Sequence, residues 1–153
     1  METSSTLIGL IIIVLFMGPI VYLILKSSAA EKKLKKSLQN LSSQNGISID
    51  AVEIIGNTLI GIDESIHKLV FSYKNKLEGT FKAVDLNTVR ECTVTTFKER
   101  KQHVNRVALQ LKSATSTDEI VFYEENDDSS SATDAEVCLN RANYWKKMIK
   151  QQI

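Results

Sequence analysis

The chain is short of the residues that build covalent scaffolds and catalytic or metal centres. Of its 153 residues, two are cysteine, two histidine and one proline. Cys92 and Cys138, with no CxxC motif, are too few for a disulfide framework and neither demand nor exclude an oxidising compartment. His67 and His103 are isolated from both cysteines, so the three or four convergent ligands of a metal site are missing. An excess of one charge is also lacking. Residues 47–153 carry 14 Lys and Arg against 16 Asp and Glu, a balance of about −2. That excludes a nucleic-acid module, which needs a basic face.

Nothing indicates a cofactor or a small-molecule substrate. Gly56 and Gly61 have phosphate-loop spacing, but no Lys-Ser/Thr pair follows them. The acidic run Glu124, Glu125, Asp127 and Asp128 lacks the central glycine and distal glutamate of a calcium loop. Cys92 and His103 would suit a nucleophile and its base, but no third group is present to orient them.

What stands out is residues 7–25, LIGLIIIVLFMGPIVYLIL, without a charge or a polar face. At ~1.5 Å per residue a helix of that length reaches roughly 28 Å, the thickness of a bilayer core. The run predicts a transmembrane helix, kinked at Gly18-Pro19, with Tyr22 at the interface. The preceding METSST has no Lys or Arg and the run exceeds a signal-peptide core, so a retained signal-anchor is expected. Lys26, Lys32, Lys33, Lys35 and Lys36 all follow the run and none precedes it. The positive-inside rule then predicts a single-pass protein of the cell (inner) membrane, N-terminus outside and C-terminal domain cytoplasmic, with the bilayer as integral partner. Gly9 and Gly18 form no GxxxG pair.

The expected organisation is a tail at 1–6, the span at 7–25, a basic juxtamembrane helix or linker at 26–46, and one domain at 47–153. In the linker Leu34, Leu38 and Leu41 share a helical face, and Asn45-Gly46 supplies a stop. Its lysines read first as a topology signal on a helix that packs on the domain or on itself. The alternative reading is contact with anionic lipid through Lys32, Lys33, Lys35 and Lys36, joined by Lys98, Arg100 and Lys101.

The domain is long enough for one core. Strands are expected at 51–55 and 58–62 around a Gly56-Asn57 turn, then at 66–73, 80–86, 88–97, 103–111 and 119–123. Alternation sets His67, Leu69, Phe71 and Tyr73 on one face, and KERKQ at 98–102 reads as a charged turn. After a polar loop, Ser131 or Thr133 is expected to cap a helix at 132–152. Ala135, Cys138, Leu139, Ala142, Trp145 and Ile149 form its apolar stripe, and Lys146, Lys147 and Lys150 sit at its dipole's negative end. The fold class is α+β: an N-terminal transmembrane helix, then a small antiparallel barrel or sandwich closed by a C-terminal helix.

GNTLIGID (56–63), KLVFSY (68–73), VDLNTVREC (84–92), VALQL (107–111), IVFY (120–123) and ANYWKKMI (142–149) follow one another in a pattern that resembles the pleckstrin-homology-like domain. The whole is similar to single-pass bacterial membrane proteins, of the Bacteroidetes type, that carry such a domain in an undefined role. The resemblance implies a PH-like fold. In that fold inositol-phosphate binding uses a basic cluster in the first hairpin, where this chain has Asp63 and Glu64. The expected function is a non-enzymatic interaction module at the cytoplasmic face that binds a protein partner. The alternatives are peripheral sensing of anionic lipid and a thiol-based enzyme using Cys92 or Cys138.

Overall fold

The computed structural model describes residues 13, 17, 22, 28–100, 103–126 and 133–153. The chain divides into two compact units, Met1–Lys36 and Ser37–Ile153.

In the first unit, Ile13, Met17, Tyr22 and residues 28–36 are helical. Most of the expected 7–25 span lies outside the described residues. Among those described, no helix is long and apolar enough to cross a membrane. Helix α1, residues 28–44, carries Glu31 and four lysines, and α2, Ala135–Lys150, carries Glu136, Arg141 and three lysines. Over the described residues both are too charged to cross hydrocarbon. This corrects the transmembrane reading, and with it the signal-anchor, the bilayer as integral partner and the inner-membrane location.

The second unit opens with the last turns of α1, residues 37–44. Gly46 (φ +72°) stops the helix, with the Ile47 N–H reaching back to the Ser42 carbonyl at 2.9 Å. The expected Asn45-Gly46 stop is therefore present. Two antiparallel sheets follow. The first runs in the order β1 (Ala51–Ile55), β2 (Thr58–Asp63), β3 (Lys68–Tyr73), β4 (Lys82–Asp85). The second runs β5 (Val89–Arg100), β6 (His103–Ser113), β7 (Thr117–Glu124). Gly56 (φ +58°) and Asn57 make the two-residue β1–β2 turn, in which glycine takes the positive φ.

Both sheets are open, which corrects the expectation of a closed barrel. Side chains occupy the seam where a ladder would have closed it. Strand β7 runs past the end of the first sheet, and Lys82, Tyr73, Thr58 and Gly56 meet it in turn. Lys82 faces Asp118 at 3.8 Å. The Val121 N–H donates to Tyr73 Oη at 3.5 Å, while Thr58 Oγ1 donates to the Val121 carbonyl at 2.5 Å. A Cβ on Gly56 would collide with the Phe122 carbonyl oxygen. Hydroxyls thus satisfy an edge peptide that water or a strand would otherwise serve.

Between the sheets lies one core. Ile60, Ile62, Leu69 and Phe71 meet Cys92, Val107, Leu109, Leu111, Ile120 and Phe122. The expected helical stripe of α2 completes it: Cys138, Ala142, Trp145 and Ile149 are buried and Leu139 packs against them. Asp134, rather than Ser131 or Thr133, caps α2, accepting from the Glu136 N–H at 2.9 Å. The first sheet is covered on its other face too. Leu59 and Val70 point away from Ile60 and Phe71 by alternation, yet are fully buried, as are Leu38 and Ile47. Ile49 lies against Gly61 on that face, where a Cβ would crowd it. Residues 37–49 form this cover, which is why β2 is buried throughout.

Two local expectations change. KERKQ is not wholly a turn, since β5 continues to Arg100 and β6 begins at His103. His67 is not in a strand: it sits in the β2–β3 turn with φ +51°, its Nδ1 buried and unpartnered among the described residues.

Candidate functional site: the open edge of β5 beside helix α2

Most interior polar groups serve the fold. Glu53 on β1 accepts Arg141 Nε at 2.6 Å and the Trp145 indole N–H at 2.8 Å, tying an edge strand to α2. Asp63 is buried and takes the Ser48 N–H at 2.7 Å and the Ser65 hydroxyl at 2.6 Å. The Ser65 hydroxyl first, then the backbone N–H groups of Ser48, Ile66 and Ser65, hold its carboxyl below the usual carboxylate range against the opposing effect of burial. Ser72 Oγ bonds to the Leu77 carbonyl at 2.5 Å and to Thr80 Oγ1 at 2.9 Å. These groups are committed to holding the fold together.

The cysteines are equally closed. Both are free and buried. Burial pushes the Cys92 thiol from 9.0 up to about 11, against an opposing pull from Lys146 and Lys150. Burial likewise pushes Cys138 up to about 11, and the charge of Asp134 adds to it. Neither is a thiolate near neutral pH, so neither offers a nucleophile. His103 is remote from Cys92: it pairs with Arg100, whereas Cys92 pairs with Leu111, eight residues further along β6. That is roughly 26 Å at ~3.3 Å per strand residue. Among the described residues, no three His, Cys, Asp or Glu converge on a metal position.

The expected lipid contacts fall in different places. Lys32, Lys33 and Lys36 are exposed and Lys35 is half-buried, all in the first unit. Lys98 and Arg100 belong to the end of β5, and Lys101 lies outside the described residues. In the second unit, a cleft of about 570 Å³ separates the end of α1 from the turn at 76–79. Its polar lining, including Asn40, Gln44, Lys76 and Glu78, focuses no single charge.

The surface with unused capacity is the outer edge of β5. This 12-residue strand is an outer member of its sheet and pairs with β6 alone among the described residues. Its register breaks between Val89 and Glu91 and again beyond Phe97. Between the breaks lies Cys92–Phe97, CTVTTF: six residues without charge, rich in β-branched side chains. Cys92 is buried and Val94 packs on the core, so Thr93, Thr95 and Phe97 face the other way by alternation. Phe97 is 64 % exposed. It pairs with Arg106, which in turn pairs with Glu124, the last residue of β7, so the hairpin beyond it is two-stranded.

Helix α2 packs against β5 and carries Lys146 and Lys150, close enough to act electrostatically on the Cys92 thiol. With Asn143 and Lys147 they line a cleft of about 370 Å³. No acidic side chain lies within salt-bridge distance of these three lysines among the described residues, whereas Arg106, Lys112 and Arg141 all have carboxylate partners. The sequence reading assigned the three lysines to the helix dipole alone. The i, i+4 spacing of Lys146 and Lys150 carried the further signal that both point to one side. The chain matches no family model, no curated protein and no solved structure.

Proposed function

We propose that the second unit is a non-enzymatic protein-interaction module that receives an extended segment of another protein along β5. The observation that carries this reading is the uncharged, regular Cys92–Phe97 stretch on an open strand edge. Such an edge offers a row of main-chain N–H and C=O groups to an added strand. Natural edges are usually blunted by charges or bulges. Here the irregularities flank the stretch and leave its middle free. Phe97 adds an exposed aromatic anchor of the kind that dominates interfaces.

The charge pattern disfavours the two central registers of a self-paired second copy. A two-fold antiparallel pairing of β5 with itself must centre on one residue. Centred on Val94, it sets Arg90 opposite Lys98; centred on Thr95, it sets Arg90 opposite Arg100 and Glu91 opposite Glu99. Like charges directly opposite one another are destabilising.

The test is selection of displayed random peptides on the 153-residue chain, followed by amide exchange of each complex. The reading expects extended peptides that slow exchange at Thr93–Phe97 and lose binding to Thr95→Pro. Peptides that protect other segments, or a concentration-dependent dimer broken by Thr95→Pro, would overturn it.

A further inference from the structure

We infer that the segment received by β5 is acidic, its carboxylates directed at Lys146 and Lys150 while its main chain pairs with Cys92–Phe97. The inference rests on the interaction-module reading and names the chemistry of the partner. It starts from two separate features. One is the open edge, which recognises backbone without regard to side chains. The other is the cleft of about 370 Å³ lined by Asn143, Lys146, Lys147 and Lys150. Helix α2 packs against β5, and its Lys146 and Lys150 act on the Cys92 thiol at one end of the uncharged stretch, so a strand added there runs alongside the lysine-bearing helix.

The rest of the unit sharpens the contrast. Arg106 is held by Glu119 at 2.9 Å, Lys112 by Glu91 at 3.3 Å, and Arg141 by Glu53. Lys146, Lys147 and Lys150 stand unpaired among the described residues, gathered on the last turns of α2. Three cations at a helix C-terminus do favour the dipole. That role needs no cleft and no neighbouring strand edge. A free phosphate or an anionic lipid surface would use the lysines and leave the β5 peptide groups unmatched. An acidic strand uses both, and alternation would set every second side chain on the lysine side.

The test uses three synthetic ten-residue peptides alternating valine with glutamate, glutamine or lysine, titrated against the 153-residue chain by fluorescence anisotropy. Amide exchange is followed in each complex. The expected result is that the glutamate peptide binds about tenfold tighter than the glutamine peptide, a modest electrostatic preference. The gap should close at high salt and in the Lys146→Gln/Lys150→Gln double variant. Both peptides should slow exchange at Thr93–Phe97. Equal affinities with that protection would overturn the acidic preference and leave the strand-addition reading standing. If the glutamate peptide binds without protecting Thr93–Phe97, and vesicles of anionic lipid bind through the same lysines, the cleft is a polyanion surface and the inference fails. If no peptide protects β5, both readings fall together. Lys147→Gln, and melting temperatures of every variant, control for general charge loss and for unfolding.

Discussion

The Trp145 indole N–H is anchored on Glu53 Oε2 at 2.8 Å, a bond between residues 92 positions apart. Trp145 is almost wholly buried in the core, so this carboxylate is the one polar contact of a large apolar side chain. Glu53→Ala strands the N–H in the interior and should cost about 1–3 kcal/mol. The accompanying ion pair with Arg141, whose side chain is 43 % exposed, adds little to that figure. Glu53→Gln keeps an acceptor and should recover about 1 kcal/mol of the loss. Urea unfolding of the two variants checks this, and coincident midpoints would sink it.

Two glycines with positive φ should respond differently to alanine. Gly46 has nothing within 4 Å of a built Cβ, so Gly46→Ala should cost only the left-handed strain, about 1 kcal/mol. Gly56→Ala meets that strain and the Phe122 carbonyl oxygen together, and should cost distinctly more. A chemical-denaturation midpoint for Gly56→Ala equal to that of Gly46→Ala would contradict the close approach.

Both thiols have folded pKa values of about 11 against an ordinary 9.0. A raised value stabilises the fold while the unfolded thiol is also protonated, and that contribution is lost as pH rises. Stability should therefore be level below about pH 9 and fall between pH 9 and 11. Alkylation of the native chain at neutral pH should be far slower than that of a model thiol, and recover in denaturant. Rapid native labelling of either cysteine is the adverse outcome.

Asp63 titrates in the opposite sense. Its carboxyl is held below the ordinary value, so its contribution is present above that value and lost as pH falls through the folded one. Asp63→Asn should weaken the fold near neutrality and flatten the acid limb of the stability curve. An unchanged acid limb would show that the Ser48 and Ser65 bonds do not depend on the charge.

Local punctuation made part of this architecture legible in advance. Gly56-Asn57 placed the first hairpin, Asn45-Gly46 placed the end of α1, and the spacing of Cys138, Ala142, Trp145 and Ile149 marked the buried face of α2. The misreadings share a cause, which is that tertiary neighbours outweighed local pattern. Charged Lys98, Glu99 and Arg100 read as a turn because charges are rare in core strands, but β5 is an edge strand and tolerates them. The second buried face of β2 and β3 depends on the cover from residues 37–49, invisible to any window over the strands. The apolar composition of 7–25 suggested a membrane anchor, which no helix among the described residues supports. The candidate site was the least legible feature. Its two halves lie about fifty residues apart in sequence, and each has an ordinary local explanation.

The seam at Val121 has a mechanical consequence. Two hydroxyls, from Thr58 and Tyr73, hold both polar groups of one residue of β7 where a ladder would have shared the load among many. Tension drawn between the sheets therefore falls on that residue, on the Lys82–Asp118 pair and on the apolar layer behind them. Under pulling, the unit should part along this seam before either sheet gives up its own strands.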